Sequence, residues 1–231
     1  MAAAEFDEFA DNYDRDLARG LALTGEDKLF YAMARLLVVK RCLDRQGVVP
    51  RRVLDYGCGT GTAVPLLRQI LGAEIVVGVD PSAASLDRAA ATYGARGEAE
   101  FVPLGEYQPD QSFDLVFTNG VFHHIPRSAR PDAVATVRKS LRPGGILSLW
   151  ENNPLNLGTR WVMKQVAFDR DAVMLRSGES AELLRQGGLE VLGTEFHFVF
   201  PRLFKWLRGL EPMLQRLPLG GQYQVLARRS G

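Results

Sequence analysis

Between residues 50 and 151, short runs of Val, Ile and Leu alternate with stretches of helical spacing, and this alternation limits the fold more than any other feature. The runs are RRVLDYG, EIVVGVD, AEFVPLG, FDLVFTNG and GGILSLWE. Between them, TAVPLLRQILGA, SAASLDRAAATYGA and PDAVATVRKSL have helical character, with Pro65 and Pro131 near helix starts, where a proline is tolerated. Continuous apolar runs are what strands buried on both faces require. Strands alternating with helices then predict an α/β fold, a doubly wound and mostly parallel sheet with right-handed crossovers. Two later runs, LEVLGTEFHFVF and QYQVLAR, bring the sheet to seven strands.

A chain of 231 residues suits one domain in three parts. Residues 1–47 read as helical, with Leu29, Ala32, Met33, Leu36 and Leu37 at helical spacing and Gly47 as the stop. Residues 50–151 form the alternating core, and 152–231 supply an insertion, NNPLNLGTRWVMKQVAFDRDAV, and the last strands. The charges nearly cancel, 28 basic against 27 acidic, so no global field points to a nucleic-acid partner. The opening MAAAEFDEFADNYD is acidic and does not read as a signal peptide, and no run approaches the ~18 apolar residues of a membrane span. Two cysteines, Cys42 and Cys58, fit a reducing cytoplasm. No cluster of His, Cys, Asp and Glu has metal-ligand spacing, so no metal is expected.

The turn after the first strand, VLDYGCGTG, sets Asp55 ahead of Gly57, Gly59 and Gly61. Glycines there admit positive φ and let a ligand approach the backbone. The next helix offers free N–H groups to an anionic end. A dinucleotide fingerprint, G-x-G-x-x-G, would need glycine where Thr62 stands. Asp55 would also repel a pyrophosphate, whereas it suits a cationic ammonium. A nucleoside carrying an amino acid meets both demands.

VLDYGCGTG, VVGVDPS, FDLVFTNGVFHHIP and LRPGGILSLWE, in that order, closely resemble the class I S-adenosylmethionine-dependent methyltransferases over roughly residues 50–151. The resemblance implies a Rossmann-like methyltransferase fold, S-adenosylmethionine as cofactor, and transfer of its methyl group to a small-molecule acceptor. It implies that Asp55, Gly57, Cys58, Gly59 and Gly61 hold the amino-acid end, that Asp80 binds the ribose hydroxyls, and that Pro81 and Ser82 flank the adenine. Leu104 and Gly105 stand where many relatives carry the acid that reads the adenine, and Glu106 follows late. Asn119 and Gly120 should face the methionine portion. Cys58 is a filler of the turn and not a nucleophile, because the Asp55 carboxylate opposes a thiolate.

A hydroxyl acceptor needs a group to take its proton, and His123 and His124 lie just past the fourth strand. Either could be that base, or the two could be a structural pair. His197 alternates with apolar residues and reads as an edge position. The N-terminal segment, with Phe6, Phe9 and Tyr13, is either a lid over the cofactor or a packing helix. Glu151, Asn152, Asn153, Arg160 and Trp161 follow the fifth strand and should line the acceptor side. The basic amphipathic stretch 202–217 reads as a cap helix buried on one face, or as a contact with an anionic membrane. This tail resembles bacterial methyltransferases of glycan and secondary-metabolite pathways. The acceptor expected is therefore a hydroxyl oxygen of such a molecule; transfer to nitrogen or carbon, or a non-catalytic partner subunit, are the alternatives.

Overall fold

The computed structural model describes residue 21 and residues 24–94, 97, 99–166 and 172–231. Tyr13, Phe6 and Phe9, and with them the expected lid, lie outside the described residues.

Helix α1 (Lys28–Gln46) starts where Asp27 accepts the N–H of Phe30 at 2.7 Å and ends at Gly47, in the left-handed region at φ 67°. It buries Leu36, Val39, Cys42 and Leu43. The expected stripe was rotated from this: of its members only Leu36 is buried, while Leu29, Met33 and Leu37 are exposed. Two apolar rows run side by side along the helix, and spacing alone does not choose between them.

Strand β1 (Arg52–Tyr56), helix α2 (Val64–Leu71), β2 (Ile75–Asp80), α3 (Ala83–Tyr93), β3 (Glu100–Pro103), β4 (Phe113–Asn119), α4 (Arg130–Ser140) and β5 (Leu141–Asn152) follow in alternation. Then come α5 (Leu157–Gln165), α6 (Ser177–Gln186), β6 (Glu190–His197) and, after an excursion, β7 (Gln222–Arg228). The seven strands stand in the order β3-β2-β1-β4-β5-β7-β6. The first five run parallel, and β7 is antiparallel to both β5 and β6. Strand order reverses between β1 and β4, so their carboxyl ends open a crevice where ligands of such sheets sit.

Alternate residues of the central strands feed two cores. Val53, Leu115, Phe117, Ile146 and Trp150 pack on the face covered by α1 and α2. Leu54, Val116, Leu147 and Leu149 pack on the face covered by α4 and α6. The apolar runs are continuous because both faces are covered.

The stretch 202–217 departs from the expected cap helix. Arg202–Leu210 is 3-10 in form, broken at Phe204, and Glu211–Leu214 is one α turn; no residue of either is buried. His197 does end an edge strand, but it is buried against Trp150, ring centroids 5.0 Å apart.

Candidate active site

The turn at 57–61 links β1 to α2. The N–H groups of Gly57 and Cys58 both reach the carbonyl of Val79, at 2.8 and 3.1 Å, which tethers the turn to β2. Gly57 has φ 77°, and a Cβ there would lie 2.3 Å from Cγ2 of Val121, so the turn and the loop after β4 touch through this glycine. Gly59 has φ 51° and no atom within 4 Å of a would-be Cβ; its backbone faces open space. Gly61 packs against Ala89, Tyr93 and Phe101.

Asp55 is buried in β1, and its Oδ2 has no hydrogen-bond partner among the described residues. Burial, and then the nearby Asp80, push its pKa up to about 7. Asp80 accepts the N–H of Gly59 at 2.8 Å through Oδ2 and that of Ser82 at 2.9 Å through Oδ1. It therefore clamps the glycine turn to the end of β2. Ser82 caps α3 by accepting the N–H of Ser85, and Pro81 is exposed. Cys58 is buried, and burial, with Asp55 and Asp80, pushes its thiol pKa up, as befits an inert filler. Leu104 is half-buried against the core and donates its N–H to the Asp80 carbonyl, while Gly105 and Glu106 are exposed.

At the end of β4, Asn119 keeps a buried Oδ1 without a partner among the described residues, and Gly120 at φ 71° donates to the Trp150 carbonyl. Next along the loop, His123 is buried with Nδ1 2.5 Å from Oε2 of Glu151. The other carboxylate oxygen of Glu151 accepts the N–H of Phe122 at 2.7 Å. His124 is half-buried, its ring centroid 4.1 Å from that of His123. Arg130 fastens the loop, its Nε donating to the carbonyls of Phe122 and Ile125 and its Nη2 to that of Val173.

Several expected acceptor contacts have other tasks. Glu151 is buried and holds the His123 loop instead of lining the acceptor side directly. Asn153 is also buried: its amide donates to the carbonyls of Pro218 and Gly220, a tie between two loops. Asn152 accepts from the Gln222 amide across the β5–β7 ladder. Only Arg160 and Trp161, on α5, are exposed. The Glu151–His123 pair escaped sequence reasoning. Its signal was a strand-terminal glutamate one residue past the level of Asn119, because Asn119 pairs with Trp150. Among the described residues no group of three or more His, Cys, Asp or Glu could hold a metal ion.

A buried, unpartnered carboxylate oxygen and the open backbone at Gly59, at the switch point of the sheet, fit a ligand with an ammonium group and a ribose. Comparison with known proteins agrees. Residues 53–145 match the family described as methyltransferase domain. A trans-aconitate 2-methyltransferase of Rhodopseudomonas palustris is 28% identical over 197 residues, covering 77% of this chain and 76% of that protein. A tRNA U34 carboxymethyltransferase of Tolumonas auensis is 39% identical over 104 residues, but these make up 43% of this chain and only 31% of that protein. Among solved structures, a TehB-like SAM-dependent methyltransferase from Corynebacterium glutamicum superposes with TM-score 0.62 at 22% identity, covering 97% of this chain and 99% of that one. Residues 53–145 thus carry the match to the methyltransferase domain, and the fold is that of the class I S-adenosylmethionine-dependent methyltransferases.

Proposed function

We propose that the protein methylates an oxygen of a small-molecule acceptor, a hydroxyl of a glycan or secondary metabolite, with His123 taking the hydroxyl proton. The observation that carries this reading is the 2.5 Å contact between His123 and Glu151. A carboxylate only accepts hydrogen bonds, so Nδ1 carries the ring proton and Nε2 keeps its lone pair. Glu151 then stabilises the imidazolium formed when Nε2 takes a proton, the logic of an acid–histidine dyad. The bound cofactor supplies an electrophilic methyl group on a positive sulfur. Asp55 would face its ammonium, Asp80 its ribose, and Asn119 and Gly120 its methionine portion. The balanced charge of the chain argues for a small acceptor over a nucleic acid. Among the described residues no helix is long and apolar enough to cross a membrane, and two free buried cysteines accord with a reducing cytoplasm.

A second reading has support from the trans-aconitate relatives: a carboxylate acceptor, which is already a nucleophile and needs no base. Labelled methyl transfer from S-adenosylmethionine to a panel of hydroxylated and carboxylated small molecules, with H123A and H124A beside the parent, separates the two. Turnover on hydroxylated acceptors that collapses in H123A, with S-adenosylhomocysteine affinity unchanged, supports the first reading. Turnover on carboxylates that neither variant alters overturns it in favour of the second.

A further inference from the structure

The excursion between β6 and β7 is built inside out. Two of its charged residues, Arg208 and Glu211, turn toward the body of the protein. Glu211 accepts the N–H groups of Val199 and Phe200 at 3.1 and 3.0 Å. Arg208 donates to the Phe200 carbonyl at 3.1 Å and to Glu26 at 2.8 Å, its guanidinium 4.7 Å from the Phe30 ring centroid. Its apolar residues turn to solvent: Leu203 and Met213 are 79% exposed and Trp206 is 75% exposed, with Leu210 and Leu217 about half exposed. These five recur every three or four residues, the spacing of one side of a helical winding. An ordinary amphipathic element does the opposite, burying such a row and wetting its charges.

Arg202, Lys205 and Arg216 each directly precede a member of this row, and the one acid of the stretch, Glu211, is turned inward. Exposed Leu and Trp flanked by exposed cations, of which Arg202 also donates to the Gly25 carbonyl at 3.2 Å, is the chemistry of a polar–apolar boundary with negative charge. A second copy of the chain fits poorly, since an isologous contact would set these cations against themselves. The fold also puts the row at the productive end of the sheet. His197, where the excursion leaves β6, pairs with Gln222, where it rejoins β7, and Gln222 pairs with Asn152 at the carboxyl end of β5. Exposed Leu155, Leu157 and Trp161 share that end, joined to the excursion through the Asn156 and Thr159 hydrogen bonds to Leu219 and Gly221.

We propose that this face docks on the surface of an anionic phospholipid bilayer, with Leu203, Trp206 and Met213 entering the headgroup layer and Arg202, Lys205 and Arg216 meeting its phosphates. Peripheral attachment of this kind is independent of which atom is methylated. The test uses the whole protein with phosphatidylcholine vesicles, with and without a one-third share of phosphatidylglycerol. Sedimentation with the anionic vesicles only, released by raised salt, is expected, together with a blue shift of tryptophan emission. The double variant W206S/M213S should lose both signals while melting at an unchanged temperature, since neither side chain is buried. K205E/R216E should bind the anionic vesicles at least about tenfold more weakly. Failure of the parent protein to sediment with anionic vesicles overturns the proposal. Sedimentation unaffected by W206S/M213S overturns it too, as does light scattering that shows a dimer abolished by W206S/M213S with no vesicle binding.

Discussion

Nδ1 of His123 lies 2.5 Å from Oε2 of Glu151, and the two side chains are 2% and 1% exposed. Strand register accounts for the meeting: Asn119 is paired with Trp150, so Glu151 stands level with the start of the loop that carries His123. In E151Q the amide can still accept from Phe122 through its oxygen, but toward His123 it presents N–H groups. The imidazole must then put its proton on Nε2, and the lone pair proposed to accept a hydroxyl proton is lost. Turnover on a hydroxyl acceptor is expected to fall about 10²–10⁴-fold, with S-adenosylhomocysteine affinity, measured by calorimetry, within a factor of two. E151A should also lose stability, by about 1–3 kcal/mol in urea unfolding, because it leaves the buried N–H groups of His123 and Phe122 without an acceptor.

The glycines of the turn separate by what their Cβ would meet. G57A puts a methyl 2.3 Å from Cγ2 of Val121 at a φ of 77°, so it strains fold and site together. G59A meets no atom within 4 Å and bears only the left-handed penalty, about 1–2 kcal/mol. Thermal melting should therefore drop steeply for G57A and slightly for G59A. V121A should restore part of the G57A loss, a coupling that a double-mutant cycle reads directly. Cofactor affinity should drop for both, since the new methyl of G59A stands in the open cradle.

The sheet was legible because strands covered on both faces announce themselves as unbroken Val/Ile/Leu runs, and Gly47 and Gly72 mark helix ends in plain view. The turn of Gly57, Gly59 and Gly61, with Asp55 and Asp80, was legible because its chemistry lies in local spacing. What stayed hidden depends on relations between distant segments. Glu151 and His123 are 28 residues apart and meet only through the β4–β5 register. Asn153 ties residues 218–220, far along the chain, so an amide that looks free in sequence is spent on a loop. The row from Leu203 to Leu217 shows in the sequence as a stripe, but a stripe does not state which side faces the core; Arg208 and Glu211 decide that by finding partners inside.

His197 makes stability depend on pH in the acid range. Burial, and then Arg41, push its pKa down to about 4, against roughly 6.5 in the unfolded chain. Above 6.5 the ring is neutral in both states and nothing is lost. As pH falls from 6.5 toward 4 the unfolded chain takes up a proton that the folded one refuses, so stability is lost across that window. H197F, whose ring can pack on Trp150, removes the effect. Urea unfolding should show the parent losing up to about 2 kcal/mol more than H197F between pH 7 and pH 5. Parallel curves would exclude a buried neutral histidine.

Asp55 runs the other way. With its folded pKa raised to about 7 by burial and Asp80, its cost to the folded state is absent below the unfolded value near 4, grows as pH rises, and is complete above 7. D55N, neutral at every pH, should therefore melt higher than the parent at pH 8 and about equally at pH 4, without ligand. Cofactor binding reverses the account. An ammonium beside Asp55 favours the carboxylate, so binding below pH 7 must expel its proton, and affinity should weaken by up to about tenfold for each pH unit from 7 downward. Calorimetry of S-adenosylhomocysteine in buffers of different ionisation enthalpy would register that released proton. In D55N the affinity should be lower at pH 8 and flat with pH. A parent protein whose affinity is equally flat, with no proton released, would remove Asp55 from the ammonium site.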